Sequence, residues 1–167
     1  WNVCKKFRLL NNRQKAYISG KIDFQLEMMS HEQDSENMLD VLVLTGNMED
    51  GMVLDSANEE RIYCPEYIKK YGERLHCGIR ITSNHLNPVY VINDILGISK
   101  KPPRDGDTCI LIHKPTGRAF IRKMQQGNPC HLLPINGYGD IITVDPNNHT
   151  DMVQWLKFGV VIAVLRR

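Results

Sequence analysis

The chain has 167 residues, enough for one domain with a tail, and its 42% hydrophobic and 24% charged content is ordinary for a globular protein. Its formal net charge of +2 is too small to indicate a nucleic-acid or membrane surface by itself. No apolar run approaches the ~20 residues that span a bilayer, and no signal-peptide pattern is present. We therefore expect a cytoplasmic protein with no membrane partner.

The five cysteines are widely spaced, and no two of them form a Cys-x-x-Cys pair. They are Cys4, Cys64, Cys77, Cys109 and Cys130. Structural zinc sites use closely spaced ligand pairs, and disulfide scaffolds use an even number of cysteines in a short secreted chain. We therefore predict reduced thiols, no metal site and no cofactor.

Residues 1–37 differ in composition from the rest of the chain. The first 21 residues contain six basic side chains and no acidic one, namely Lys5, Lys6, Arg8, Arg13, Lys15 and Lys21. Apolar residues recur at roughly helical spacing from Phe7 to Met29, and the polar stretch from Ser30 to Asn37 is typical of a linker. We predict a partly helical or extended N-terminal arm over 1–37 and a separate domain over 38–167. Nucleic-acid binding through this basic arm stays open as an alternative function.

From Leu39 onward the sequence is typical of a β protein. Eight short apolar runs are separated by turns rich in Pro, Gly, Asn and Asp. The runs are Val41–Thr45, Leu75–Ile81, Val89–Ile98, Thr108–His113, Arg118–Met124, His131–Leu133, Asp140–Val144 and Phe158–Leu165. Strands this short and closely spaced favour an antiparallel, partly closed, mainly β architecture. One helix is predicted over Pro65–Tyr71, where proline occupies a favoured first-turn position.

Three segments of the β region resemble, in order and spacing, the segments that carry the chemistry of one peptidase family. They run from Leu44 to Met52, from Ser83 to Asp94 and from Arg118 to Leu133. They are similar to the cleavage site, the nucleophile turn and the lysine-bearing strand of the LexA-type self-cleaving serine peptidases, which include phage-repressor C-terminal domains and UmuD-like proteins. The resemblance covers residues from about 40 to 167 and implies the family's peptidase β fold.

The side chains that this family uses for catalysis are changed at all three segments. A serine–lysine dyad needs a hydroxyl that attacks and an amine that can lose its proton. The resemblance assigns the serine position to His85 and the lysine position to Arg122, whose guanidinium keeps its proton at physiological pH. Asp50-Gly51 replaces the family's Ala-Gly cleavage site. We therefore predict a pseudo-peptidase in which neither His85 nor Arg122 is catalytic.

The resemblance implies a domain that serves dimerisation and regulation of a transcriptional regulator of the phage or prophage repressor kind. DNA would be bound by a separate module of the full-length protein, and a regulatory protein is a second candidate partner. A homodimer is expected, with the last apolar run as an edge strand at the interface. The predicted interface residues are Phe158, Val160, Val161, Ile162, Ala163 and Val164.

A self-cleaving serine peptidase with a shifted dyad stays open as an alternative. It would use Ser83 or Ser99 as the nucleophile and Lys123 as the base. Lys123 follows Arg122 directly, and successive side chains of a strand point to opposite faces. We therefore expect Lys123 to face away from the site that Arg122 faces.

Overall fold

The computed structural model describes residues 11–47 and 51–166, and the chain divides into two compact units after Met38. The first unit contains helix α1, Asn12–Glu36. Asn11 and Gln14 cap the start of the helix with two reciprocal hydrogen bonds. The Asn11 side chain accepts from the Gln14 N–H at 2.9 Å, and the Gln14 side chain accepts from the Asn11 N–H at 3.1 Å. The polar stretch predicted as a linker is helical as far as Glu36. Among the described residues, no helix has the length and hydropathy needed to span a membrane.

The second unit confirms the prediction of a mainly β fold, because its nine described strands form one sheet. The strands are β1 (Met38–Asn47), β2 (Gly51–Tyr63), β3 (Cys77–Ile81), β4 (Ile95–Ser99), β5 (Thr108–His113), β6 (Arg118–Gln125), β7 (Cys130–Pro134), β8 (Ile142–Val144) and β9 (Trp155–Leu165). Their order is β2-β1-β3-β4-β9-β5-β6-β7-β8, and β2 also pairs with β6. This extra pairing curls the sheet back on itself, so that β7 and β8 extend beyond the closure.

The sheet is mixed rather than wholly antiparallel, which corrects the expected architecture. Strand β1 runs parallel to β3, with Val41 opposite Gly78 and Leu44 opposite Ile81. A parallel pair needs a crossover connection, and here β2 and helix α2 (Pro65–Tyr71) supply it. Helix α2 has the bounds predicted from its leading proline, and a short 3-10 turn, Gly72–Arg74, follows it.

Buried aliphatic side chains fill the interior of the curled sheet. The largest group joins β3, β4, β5 and β6 with the turn after β3, and its fully buried members include Ile79, Ile81, Leu86, Ile98, Ile110 and Ile121. Two smaller groups lie around α2 and around β7 to β9. Burial raises the pKa values of the Cys77 and Cys109 thiols to about 11, so both stay protonated at neutral pH.

Strand β9 lies inside the sheet, so the prediction that it is an edge strand is wrong. It pairs with β4 through Ile98 and Val161, and with β5 through Cys109 and Val160. Its apolar sequence is explained by neighbours on both sides, which bury Val160 almost completely. A dimer that uses β9 must therefore form through a face of the strand rather than through its hydrogen-bonding edge.

Strand β2 was not predicted, and two other stretches also differ from the predicted elements. The predicted strand Val89–Ile98 is a strand only from Ile95, because residues 83–93 form a compact series of turns. Helix α3 (His149–Gln154) was not predicted, although the Asn148 side chain caps it by accepting a 3.0 Å hydrogen bond from the Thr150 N–H.

Candidate functional site

A cleft of about 770 Å³ brings together the second and third segments of the family resemblance. Its walls come from the turn after β3, the adjoining parts of β5, β6 and β9, and the loop between β7 and β8. The lining residues are Asn84, His85, Asn87, His113, Phe120, Arg122, Asn136, Tyr138, Gly139, Asp140, Ile142 and Trp155. His85 and Arg122, which the resemblance pairs, therefore line one cleft.

The turn that carries His85 is held by burial and by its main chain. Leu86 is completely buried in the core, and its carbonyl accepts a 3.0 Å hydrogen bond from the Tyr90 N–H. The Asn136 amide donates to the carbonyls of His85 at 2.7 Å and Asn87 at 3.3 Å. Leu86 and Asn136 thus fix the backbone of the turn, while His85 itself is exposed.

Asp94 closes the same turn at its far end. Its carboxylate is 3% exposed and accepts a 3.0 Å hydrogen bond from the Val91 N–H. The Arg166 Nε lies 3.5 Å from the other carboxylate oxygen. Asp94 therefore holds the end of the turn through a hydrogen bond to its backbone and an ion pair with Arg166.

Strand alternation on β6 places Arg122 in the cleft and Lys123 outside it. Ala119 and Ile121 are buried in the core on one face of β6. Phe120 and Arg122 lie on the opposite face and line the cleft. Lys123 is exposed and is not part of the lining, as its position beside Arg122 led us to expect.

The Arg122 side chain is 6% exposed, and its guanidinium is only partly satisfied. Its Nη1 donates to the Ile121 carbonyl at 3.0 Å, and its Cζ lies 5.5 Å from the centre of the Phe120 ring. Its Nε is buried with no hydrogen-bond partner among the described residues. Burial lowers the pKa of Arg122, and the negative charge of Asp140 raises it to a smaller extent.

Aromatic rings form a continuous wall beside Arg122. The Trp155 ring lies 4.8 Å from the His113 ring and 5.5 Å, edge-on, from the Phe120 ring. The register of β5 with β9 sets His113 opposite Trp155. This wall was not predicted from the sequence, because His113 and Trp155 belong to none of the three motifs. The alternation of Phe120 with Arg122 on one strand was the only local signal for it.

The residues of the alternative dyad are not brought together in the cleft. Ser99 is buried in β4, where its Oγ accepts a 3.3 Å hydrogen bond from the Lys101 N–H. Strands β9 and β5 lie between β4 and β6, so three strand spacings, about 14 Å, separate Ser99 from Lys123. Ser83 is half-buried in the turn and is not part of the cleft lining.

The first segment of the resemblance is described only at its ends, because residues 48–50 lie outside the described residues. Asp50, at the position of the family's cleavage site, is among them. Strand β2 begins at the neighbouring Gly51, and Met52 pairs with Ala119 of β6. The start of β2 therefore lies beside the strand that carries Arg122.

Comparison with known proteins identifies no family for this chain. A scan against protein-family models finds no match, and a search of curated proteins finds no relative. The resemblance to the LexA-type peptidases therefore depends on the residues and on the arrangement described above.

Proposed function

We propose that this chain is a non-catalytic, LexA-like domain that serves dimerisation and regulation of a transcriptional regulator, with DNA bound by a separate module. One observation carries the proposal. A single cleft joins the turn of His85 to the strand of Arg122, which are the two segments whose side chains form the dyad in the family that the sequence resembles. This juxtaposition supports the register on which the resemblance depends.

The chemistry of these two side chains favours recognition over cleavage. Arg122 donates hydrogen bonds and holds its proton at physiological pH, so it cannot act as the base. An imidazole can attack a carbonyl, but the acyl-imidazole that it would form is itself labile. The side chains at the two dyad positions are therefore suited to holding a ligand.

We expect the chain to stay intact at alkaline pH, where a dyad lysine would be neutral and LexA-type cleavage is favoured. Mass spectrometry after long incubation at about pH 10 should show one species, and His85→Ala should change nothing. Fragments that end at Asp50 and disappear in Ser83→Ala or Lys123→Ala would instead establish the shifted dyad.

The same register can be tested by rebuilding the dyad. We expect the triple variant His85→Ser, Arg122→Lys, Asp50→Ala to cleave slowly before Gly51, and faster as the pH rises. The matched control keeps Arg122 and carries only the other two changes; it should stay intact, because Lys123 faces away from the cleft. Equal cleavage of both variants would show that Arg122 is not at the lysine position.

The proposed homodimer forms through a face of β9 and its surroundings. Leu156, at the start of β9, is 46% exposed, and Met152 and Val153 of α3 are similarly exposed. Exposed apolar side chains that lie close together are typical of protein interfaces. Further along the strand, Phe158, Val161, Ile162 and Val164 are only half-buried.

Leu156→Glu should convert the dimer to monomers, because a two-fold interface repeats the substitution on both subunits and buries two unpaired charges. Sedimentation at tens of micromolar measures this. Val91→Glu is the matched control, because Val91 is 43% exposed and precedes β4, whose Ile95 pairs with the far end of β9. A parent chain that sediments as a monomer, or equal dimerisation of both variants, would refute this interface.

A further inference from the structure

The unpartnered Nε of Arg122 is the most unusual polar group among the described residues. Buried donors in native proteins are nearly always paired, since an unpaired donor loses its hydration without a replacement. The Arg122 side chain is 6% exposed, and it extends from β6 to form part of the wall of the cleft. A ligand that enters the cleft can supply the missing acceptor.

No carboxylate of the described residues already fills this role. Asp140 is the acidic residue of the cleft lining, but it is exposed, and the ion pairs found within 4.0 Å among residues 11–47 and 51–166 do not include one with Arg122. Asp140 therefore adds a negative charge at the cleft without occupying the guanidinium.

The surroundings of Arg122 suit a ligand with both a charged and a flat part. A guanidinium presents its N–H groups as a planar fork, which matches the two oxygens of a carboxylate or phosphate. The Phe120 and Trp155 rings line the cleft beside the guanidinium. The Tyr138 ring belongs to the same lining and is 73% exposed, so it is accessible to a ligand. Asn84 and Asn87 add amide groups to the same lining.

We propose that this cleft binds a small organic anion in which a carboxylate or phosphate group is joined to a flat ring. The oxyanion pairs with Arg122, and the ring packs on the wall formed by Phe120 and Trp155. A cleft of about 770 Å³ lies within the usual range for ligands of this size. This ligand site rests on the proposed function in one respect, namely that the cleft is not catalytic. It adds the chemical class of the ligand that would regulate the domain.

The Arg122 Nε–H can be observed directly in a ¹⁵N–¹H correlation spectrum, where it is assigned by its loss in Arg122→Lys. Benzoate and phenyl phosphate are the probes, and they distinguish a carboxylate from a phosphate. Saturable shifts of the Arg122 Nε–H and the Trp155 indole N–H with either probe are the expected result. Benzyl alcohol, which has the ring without the charge, and inorganic phosphate, which has the charge without the ring, should bind at least about tenfold more weakly.

Variants on one strand separate a specific site from general attraction to positive charge. Arg122→Met should abolish binding, and Arg122→Lys should weaken it about tenfold because lysine lacks the planar fork. Lys123→Met removes an equal charge one residue away, outside the cleft, and should leave binding unchanged. Asp140→Asn should tighten binding, because it removes a negative charge that repels the anion.

Several results would overturn the proposal. One is the absence of any Arg122 Nε–H shift at millimolar probe. Another is equal weakening by Lys123→Met and Arg122→Met, which would indicate non-specific charge attraction. A third is a shift of the Arg122 Nε–H in Asp140→Asn without ligand together with no probe binding by the parent chain, which would show that Asp140 fills the site. If the chain stays intact but binds no probe, only the proposed ligand is refuted. If the chain cleaves itself, the proposed non-catalytic function is refuted, whatever the titration shows.

Discussion

Replacing Arg122 by methionine should raise the free energy of unfolding by about 1–3 kcal/mol. The guanidinium is almost wholly buried, one of its nitrogens has no partner, and no carboxylate of the described residues pairs with it. Methionine keeps much of the side-chain length and removes the desolvated charge. The lost contact with the Phe120 ring opposes this gain, but such contacts contribute only about 0.5–1 kcal/mol.

This gain should not depend on pH between about 5 and 9. Burial lowers the pKa of Arg122 in the folded state, so the folded state holds the proton less strongly than the unfolded state does. The cost of burying the charge is therefore present at every pH at which arginine is protonated, and it would disappear only at extreme alkaline pH.

Urea denaturation followed by circular dichroism measures the change, with Lys123→Met as the matched control. Lys123 is exposed, so its replacement should alter stability by less than about 0.5 kcal/mol. A loss of stability in Arg122→Met would mean that the guanidinium is well satisfied in solution. A gain in stability, together with binding of the anion probes by the parent chain, would identify Arg122 as a position where binding is kept at the expense of stability.

Gly159→Ala should lower the free energy of unfolding by about 3 kcal/mol, because the added methyl group has no space. A Cβ at Gly159 would overlap the Cγ2 of Ile98 and lie 2.9 Å from the carbonyl oxygen of Ser99. The carbonyl belongs to the backbone of β4, which is paired with β9, so it cannot move aside as a flexible side chain could.

The control for this substitution is Gly20→Ala in helix α1, where an added Cβ meets nothing within 4 Å. Alanine favours a helix over glycine by about 1 kcal/mol, so this variant should gain helical signal rather than lose stability. Equal stability of Gly159→Ala and the parent chain would show that β4 and β9 are not packed as closely as described.

Local sequence determined the elements whose residues interact with near neighbours. The bounds of β5 and α2 agree with the prediction, because an apolar run between turn-forming residues and a first-turn proline are local signals. The placement of Lys123 outside the cleft followed equally from strand alternation at Arg122. The assignment of His85 and Arg122 to one site came from the family resemblance, and the cleft is consistent with it.

Tertiary structure alone decided which segments became neighbours. Strand β2 was missed because polar residues dominate its middle, residues 55–61, so that its pairing with β1 and β6 rather than its composition makes it a strand. The interior place of β9 and the meeting of His113, Phe120 and Trp155 beside Arg122 have the same origin. Strand pairing is a contact between distant residues, selected by the burial of the whole sheet. No short stretch of sequence contains such a contact. The unpartnered Nε of Arg122 in the cleft therefore became visible only when those strands were placed together.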